Sequence, residues 1–453
     1  MLPLLQNFKR SRDRAAVTLR PDGLLPEQYT APLHQNDPAP SISVYNSRLN
    51  RHSLPGDGEY FKIRPKRRAA GTFLPSFLFI PLIPRPDYKQ TKQNQLRKEW
   101  VKMRSKRFFA SLLILALAAT AAWGCAQARK PLFPAARPGV HAFYVNQPGP
   151  TDSFPSLKLH ANVLNEVSPL WYHVKKDGSL IEEPVPAAIS FARQQGIRIV
   201  PLINLVGSQD AVLVDPAVRD RTIANIVNVV KANNYDGVNI DFEFIPEGNK
   251  DFSLDRDQLT LFMKLLSGKL HAMGKKTDMS VLPHVQVSAS MSGIYDYGGL
   301  APYVDKVTLM CYDHSQGSSP PGPVAPFAWV ETNIKTAIEQ GFRPWQICLG
   351  VATYGYDWPA NQTGGFSLPT KSIDEQVSMK GIPVHWSNQY QEPYYSYRDS
   401  YGVEREVWFE NAATLQTKID LVKKYKLKGI CIWRLGFEDA KFWDTIIKNW
   451  GKR

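Results

Sequence analysis

Between residues 139 and 435, eight short apolar runs recur, separated by longer amphipathic stretches, and this alternation restricts the fold more than any other feature. The runs are GVHAFYV (139–145), VSPLWYHV (167–174), IRIVPLIN (197–204), GVNIDFEF (237–244), VQVSAS (285–290), KVTLMCY (306–312), QICLGVA (346–352) and GICIWRL (429–435). Segments such as 217–233 and 254–273 lie between them and carry apolar residues every three to four positions, the helical period. Strands that alternate with helices are joined by crossovers and run parallel, so eight such units predict a (β/α)8 TIM barrel. A doubly wound sheet is the alternative. The first strand leads into Asn146-Gln147-Pro148-Gly149-Pro150 and not into a Gly-rich phosphate loop, which weakens that alternative. The span 354–410, before the last run, is too long for one crossover and is rich in aromatics, Gly and Pro. It predicts a small α+β insertion between strands 7 and 8, rising from the C-terminal face of the barrel to wall its cleft.

The formal charge of +14 belongs to one end of the chain. Residues 1–110 hold 21 Lys/Arg and 8 Asp/Glu, whereas everything from Ser111 onward holds 34 and 33. The folded part is close to neutral and shows no clustered basic groove, so nucleic acid is not expected as a partner. Residues 1–102 contain 12 of the 35 prolines and no sustained period, which reads as a disordered tail or as an extension upstream of a true start at Met103. Residues 103–128 carry Arg104, Lys106 and Arg107, then an apolar run from Phe108 to about Trp123, then small residues: the pattern of a signal peptide or signal anchor. Ala126-Gln127-Ala128 offers a cleavage site, and Gly124-Cys125 offers attachment to a membrane through a lipid on Cys125. The catalytic barrel is expected over 129–453, exported to the extracellular space, periplasm or cell envelope, acting as a monomer. Cys311, Cys348 and Cys431 lie in apolar runs and read as buried small hydrophobes. No Cys or His spacing suits a metal, and no cofactor is expected.

The chemistry concentrates in Tyr235-Asp236-Gly237-Val238-Asn239-Ile240-Asp241-Phe242-Glu243-Phe244. Side chains alternate along a strand, so Val238, Ile240 and Phe242 face the helices while Asn239, Asp241 and Glu243 face the barrel axis. Unpaired carboxylates are costly to bury there, and a ladder of them at the C-terminal end of a barrel strand points to catalysis. Asp241 and Glu243 are close enough for one ionisation to disfavour the other, which leaves a protonated carboxyl near neutral pH to serve as general acid. Glu243, nearest the strand exit, is the expected acid.

Asp236-x-x-Asn239-x-Asp241-x-Glu243 resembles the DxxDxDxE signature of glycoside hydrolase family 18, the chitinase-type enzymes, and most of all its bacterial spore-germination and cortex-lytic N-acetylglucosaminidases. Further matching segments are Ser168-Pro169-Leu170-Trp171-Tyr172, Met310-Cys311-Tyr312-Asp313 with the Pro-rich 320–326, Tyr354-Gly355-Tyr356-Asp357-Trp358, and Trp433-Arg434-Leu435-Gly436. Asn239 stands where many chitinases have Asp, and no peptidoglycan-binding repeat accompanies the barrel. The resemblance implies hydrolysis of β-1,4-linked N-acetylglucosamine polysaccharide, peptidoglycan ahead of chitin, with the substrate's own acetamido oxygen as nucleophile. It implies Glu243, Asp241 and Tyr312 as catalytic residues, and Asn239, Asp236, Asp313, Met310, Trp433 and Trp171 as substrate-binding ones. The alternative is a glycan-binding protein on the same barrel without activity.

Overall fold

A computed structural model describes residues 137–207, 210–243 and 252–453; the expectations for the tail 1–102, the export segment 103–128 and Cys125 lie outside the described residues. Eight parallel strands close into a barrel: Gly139–Tyr144, Glu166–Val174, Leu202–Leu205, Gly237–Asp241, Lys276–Val281, Lys306–Leu309, Ile347–Ala352 and Gly429–Trp433. The first strand pairs with both the second and the eighth, which shuts the ring. The third is preceded by a two-residue piece, Arg198–Ile199, also paired with the second strand.

The crossover helices form where local chemistry specifies both ends. In Pro216–Asn233, Asp215 caps the first turn by accepting from the Ala217 and Val218 amides, Pro216 takes the first helical position, and Asn234 ends the helix at φ +47°. Ile223, Ile226 and Val230 recur on the face buried against the barrel.

One strand lies elsewhere than the apolar pattern predicts. The fifth is Lys276–Val281, not 285–290, where the chain instead enters a short helix at Ala289–Ser292. The reason is that Asp278 and Ser280 face a barrel interior that is polar at this point, where they meet Lys306 and Asn239. A polar strand serving a polar interior leaves no apolar run to find.

That interior contains a closed ionic cluster. Lys306 Nζ bonds Glu166 and lies 3.1 Å from Asp278 Oδ2, while Arg198 Nε lies 3.2 Å and His141 Nδ1 3.1 Å from the two Glu166 oxygens. Burial, reinforced by Lys306, lowers the His141 pKa to about 4, so the ring is neutral at pH 7. Burial pushes Glu166 up, but Lys306, His141 and Arg198 overcome this and hold it well below the usual carboxylate range. Cys348 and Cys431 are buried nearby as free thiols.

Between the seventh and eighth strands lies the insertion, a five-stranded antiparallel sheet with one helix. Its strands run in the order Phe366–Pro369, Tyr354–Pro359, Glu404–Phe409, Glu392–Arg398, His385–Ser387. The helix Thr370–Lys380 packs Ile373 against Tyr395, Val407 and Phe409 to give the insertion a small core of its own.

Candidate active site

The fourth strand distributes its side chains as its alternation dictates. Val238, Ile240 and Phe242 are buried on the helix side, with the Phe242 ring 5.2 Å from Phe262 on the helix Ser253–His271. Asn239 faces the axis, donates to Ser168 Oγ at 3.4 Å and accepts from Ser280 Oγ at 3.3 Å. Asp241 and Glu243 follow on the same face, about 6.6 Å apart at Cα by strand geometry.

Asp241 is 4% exposed, and its Oδ1 has no hydrogen-bond partner among the described residues. Burial first and Glu243 second push the Asp241 carboxyl well above its ordinary range. Burial likewise raises Glu243, with Asp313 adding to the effect. Two neighbouring carboxyls both raised in this way ionise less readily together than apart, because the second charge would form beside the first.

The end of the sixth strand supplies the facing groups. Tyr312 is buried with its hydroxyl unpartnered among the described residues, and burial, Glu243 and Asp241 in that order hold its pKa high, which places the phenol beside the two carboxyls. Gly350 on the seventh strand makes room for it: a Cβ there would lie 2.9 Å from the Tyr312 ring. Asp313 adopts φ +60° and accepts from the Tyr356 hydroxyl at 3.0 Å and from that of Tyr354. Trp433 closes the eighth strand, 7% exposed, edge-on to Phe143 at 5.1 Å and joined to Arg434 by a cis peptide bond.

Of three further residues expected at the substrate, one is held by another contact and two are enclosed. Asp236 stands at the opposite, N-terminal end of the fourth strand, where its Oδ2 accepts from the Ile199 amide at 2.8 Å and ties the fourth strand to the third. Five residues of strand separate it from Asp241, roughly 16 Å. Trp171 is 1% exposed and packs edge-on against Tyr144 at 5.7 Å, leaving no open ring face for a sugar. Met310 is also 1% exposed and sits in the core beside Tyr312.

Sequence reasoning passed over other groups near the mouth. Arg434 is buried and donates to Thr151 O at 2.8 Å and Gln147 Oε1 at 2.5 Å, fixing the first strand-to-helix loop beside Trp433. The Tyr295 hydroxyl donates to Phe242 O at 3.1 Å between the two carboxylates in sequence. His173 Nδ1 lies 2.5 Å from Asn204 Oδ1, and Asn204 is in register with Asp241. His173 carried a signal, because it falls at the C-terminal end of a strand, and Arg434 stood in the matching segment 433–436 without an assigned role; Tyr295 acts over a long sequence distance and carried none.

A closed parallel barrel with two neighbouring carboxyls, both raised, at the C-terminal end of one strand is a layout that suits a glycoside hydrolase. Residues 193–438, more than half of the chain, match the model of glycosyl hydrolases family 18, and the chain belongs to that family. It is 29% identical over 309 residues to a Bacillus subtilis (strain 168) protein named as a sporulation-specific glycosylase, YdhD, covering 66% of this chain and 71% of that one. It is 25% identical over 297 residues to the cortical fragment-lytic enzyme of Bacillus anthracis, covering 61% of this chain and 66% of the relative. Among solved structures, a chitinase from Chromobacterium violaceum superposes with a TM-score of 0.63 at 26% identity, over 70% of this chain and all of that one.

Proposed function

We propose that this enzyme is an exported hydrolase of β-1,4-linked N-acetylglucosamine glycans, with peptidoglycan preferred over chitin, acting with retention through the substrate's acetamido group. The observation that carries the reading is the Asp241 and Glu243 pair, Asp241 buried and Glu243 half-buried, both raised in pKa, with an unpartnered Tyr312 hydroxyl whose own pKa both raise. The cortical fragment-lytic and chitinase relatives support the substrate class, and the 103–128 pattern supports export.

In this reading Glu243 gives its proton to the glycosidic oxygen as the bond to the anomeric carbon breaks. The acetamido oxygen attacks that carbon from the other face and forms a cyclic oxazolinium. Asp241 accepts from the acetamido N–H and balances the positive charge, while the Tyr312 hydroxyl donates to the acetamido oxygen and Asp313 helps to hold the group. Glu243, now a carboxylate, takes a proton from water, whose oxygen adds to the anomeric carbon and restores both the acetamide and the original configuration. Trp433 supplies an aromatic floor for the apolar face of the sugar.

The test is the release of reducing ends from purified peptidoglycan and from chitin oligomers, by the full chain and by Glu243→Gln. Cleavage by the wild type, lost in the variant, upholds hydrolysis, and the faster polymer names the substrate. Binding without cleavage by both proteins would replace this reading with that of a glycan-binding protein.

A further inference from the structure

Asp313 owes its placement to the insertion, and one buried carboxylate is the link. The chain leaves Asp313 at φ +60°, a backbone region that Asp tolerates better than most residues but that the surroundings must maintain. It then loops out and returns alongside itself: the His314 amide donates to Val324 O at 2.9 Å, and the Ser315 amide to Pro323 O at 3.0 Å. The returning segment 320–326 reads Pro-Pro-Gly-Pro-Val-Ala-Pro, and proline has no amide hydrogen. Only Gly322, Val324 and Ala325 have an N–H to offer, and two of these three go to a single side chain. Val324 N donates to Glu392 Oε1 at 2.6 Å, and Ala325 N donates to Glu392 Oε2 at 3.1 Å. Glu392 is fully buried at the start of the insertion strand Glu392–Arg398, and two residues earlier Tyr390 O accepts from the Phe327 amide at 3.0 Å.

A second connection reaches Asp313 from the same sheet. The Glu410 amide donates to Tyr354 O at 3.1 Å, and the Tyr354 hydroxyl in turn bonds Asp313. The Glu410 carboxylate accepts from Lys418 Nζ at 2.9 Å, which sets one buried cation beside the two buried glutamates. Burial first and Glu410 second push the Glu392 carboxyl well above its ordinary range, so its hold on the loop rests on the two directional amide contacts, for which a Pro-rich segment offers few substitutes.

We propose that Glu392 is a positioning residue for the reaction: by gripping Val324 and Ala325 it sets the loop that presents Asp313 to the acetamido group of the substrate. This rests on the reading of Asp313 given under the proposed function. The insertion is then part of the catalytic apparatus as well as a wall of the cleft.

The test is a double-mutant cycle in the full chain, with kcat and KM measured for wild type, Glu392→Gln, Asp313→Asn and the pair, together with amide hydrogen exchange over 314–326. Gln keeps the shape and one acceptor oxygen, and a melting curve establishes that each variant folds. Misplacing a substrate-positioning group by about 1 Å costs up to ~10²-fold. Glu392→Gln is expected to lower kcat/KM by roughly tenfold in the wild type and by less than about twofold once Asp313 is Asn, with faster exchange at Val324 and Ala325 and unchanged exchange in the barrel strands. Equal losses in both backgrounds, or full activity in Glu392→Gln, would overturn the proposal. If the wild type cleaves no glycan, the hydrolase reading falls by itself. Exchange then decides the remaining claim, since unchanged protection over 314–326 removes the grip and faster exchange retains it.

Discussion

The two ends of the barrel interior are built from the same eight strands and are both rich in buried polar groups, yet they are finished in opposite ways. Toward the N-terminal end, Lys306 sits between Glu166 and Asp278, Arg198 adds a second cation to Glu166, and the neutral His141 ring lies against the same carboxylate. At the C-terminal mouth, Asp241 Oδ1 and the Tyr312 hydroxyl have no hydrogen-bond partner among the described residues, and burial and Glu243 raise Asp241 while burial and Asp313 raise Glu243. A buried polar group that is fully paired contributes to a fixed architecture. One left unpaired is a liability to folding that becomes useful only when something else supplies the partner. The contrast teaches that buried charge alone does not mark a site: the cluster sets Lys306 between its two carboxyls, whereas the mouth sets two carboxyls side by side.

The largest effect that would sharpen this contrast is at Glu243. Glu243→Gln should lower kcat by about 10³-fold, the scale of a lost general acid, without lowering the melting temperature. A large loss of stability instead would mean that the mouth is as structural as the cluster below it. Lys306→Met should do the reverse. Removing the cation that bonds both Glu166 and Asp278 is expected to cost about 3–5 kcal/mol of stability in chemical denaturation, while the molecules that remain folded keep their turnover.

The pH profile probes the Asp241 and Glu243 pair. The acid must be protonated to act, and both carboxyls are raised, so kcat should fall as pH rises through a limb lying above the ordinary carboxylate range. In Asp241→Asn, whatever activity survives should show that limb at lower pH, because the neighbouring charge is gone; an unmoved limb would mean that the two groups titrate independently. The smallest expected effect is at Tyr312→Phe, which removes one donor from the mouth. A loss of roughly tenfold in kcat/KM with unchanged stability fits a hydroxyl that waits for substrate, whereas a drop in melting temperature alone would assign it to packing.

Much of this site was legible because a strand's alternation is a local rule. Asn239, Asp241 and Glu243 had to share a face, and the barrel layout made that face the axis. Asp236 shares the motif but not the location: it lies at the other end of the strand, and a spacing pattern does not tell which end is the mouth for each member. The enclosure of Trp171 and Met310 was not legible for a related reason, since whether a large side chain offers an open face depends on what covers it. The fifth strand escaped notice because its inward residues are polar, and they are polar because Lys306 and Asn239 lie opposite them.

The sequence alone determined the repeating strand and helix units, hence the barrel, and the carboxylate ladder on its fourth strand, because periodicity and side-chain alternation are set by residues near one another in the chain. Tertiary structure decided which polar groups meet a partner and which do not. Glu166 reaches Lys306 across 140 residues and Glu392 reaches Val324 across 68. No local pattern specifies such contacts, because each exists only once the barrel has closed and the insertion has docked against the loop that carries Asp313.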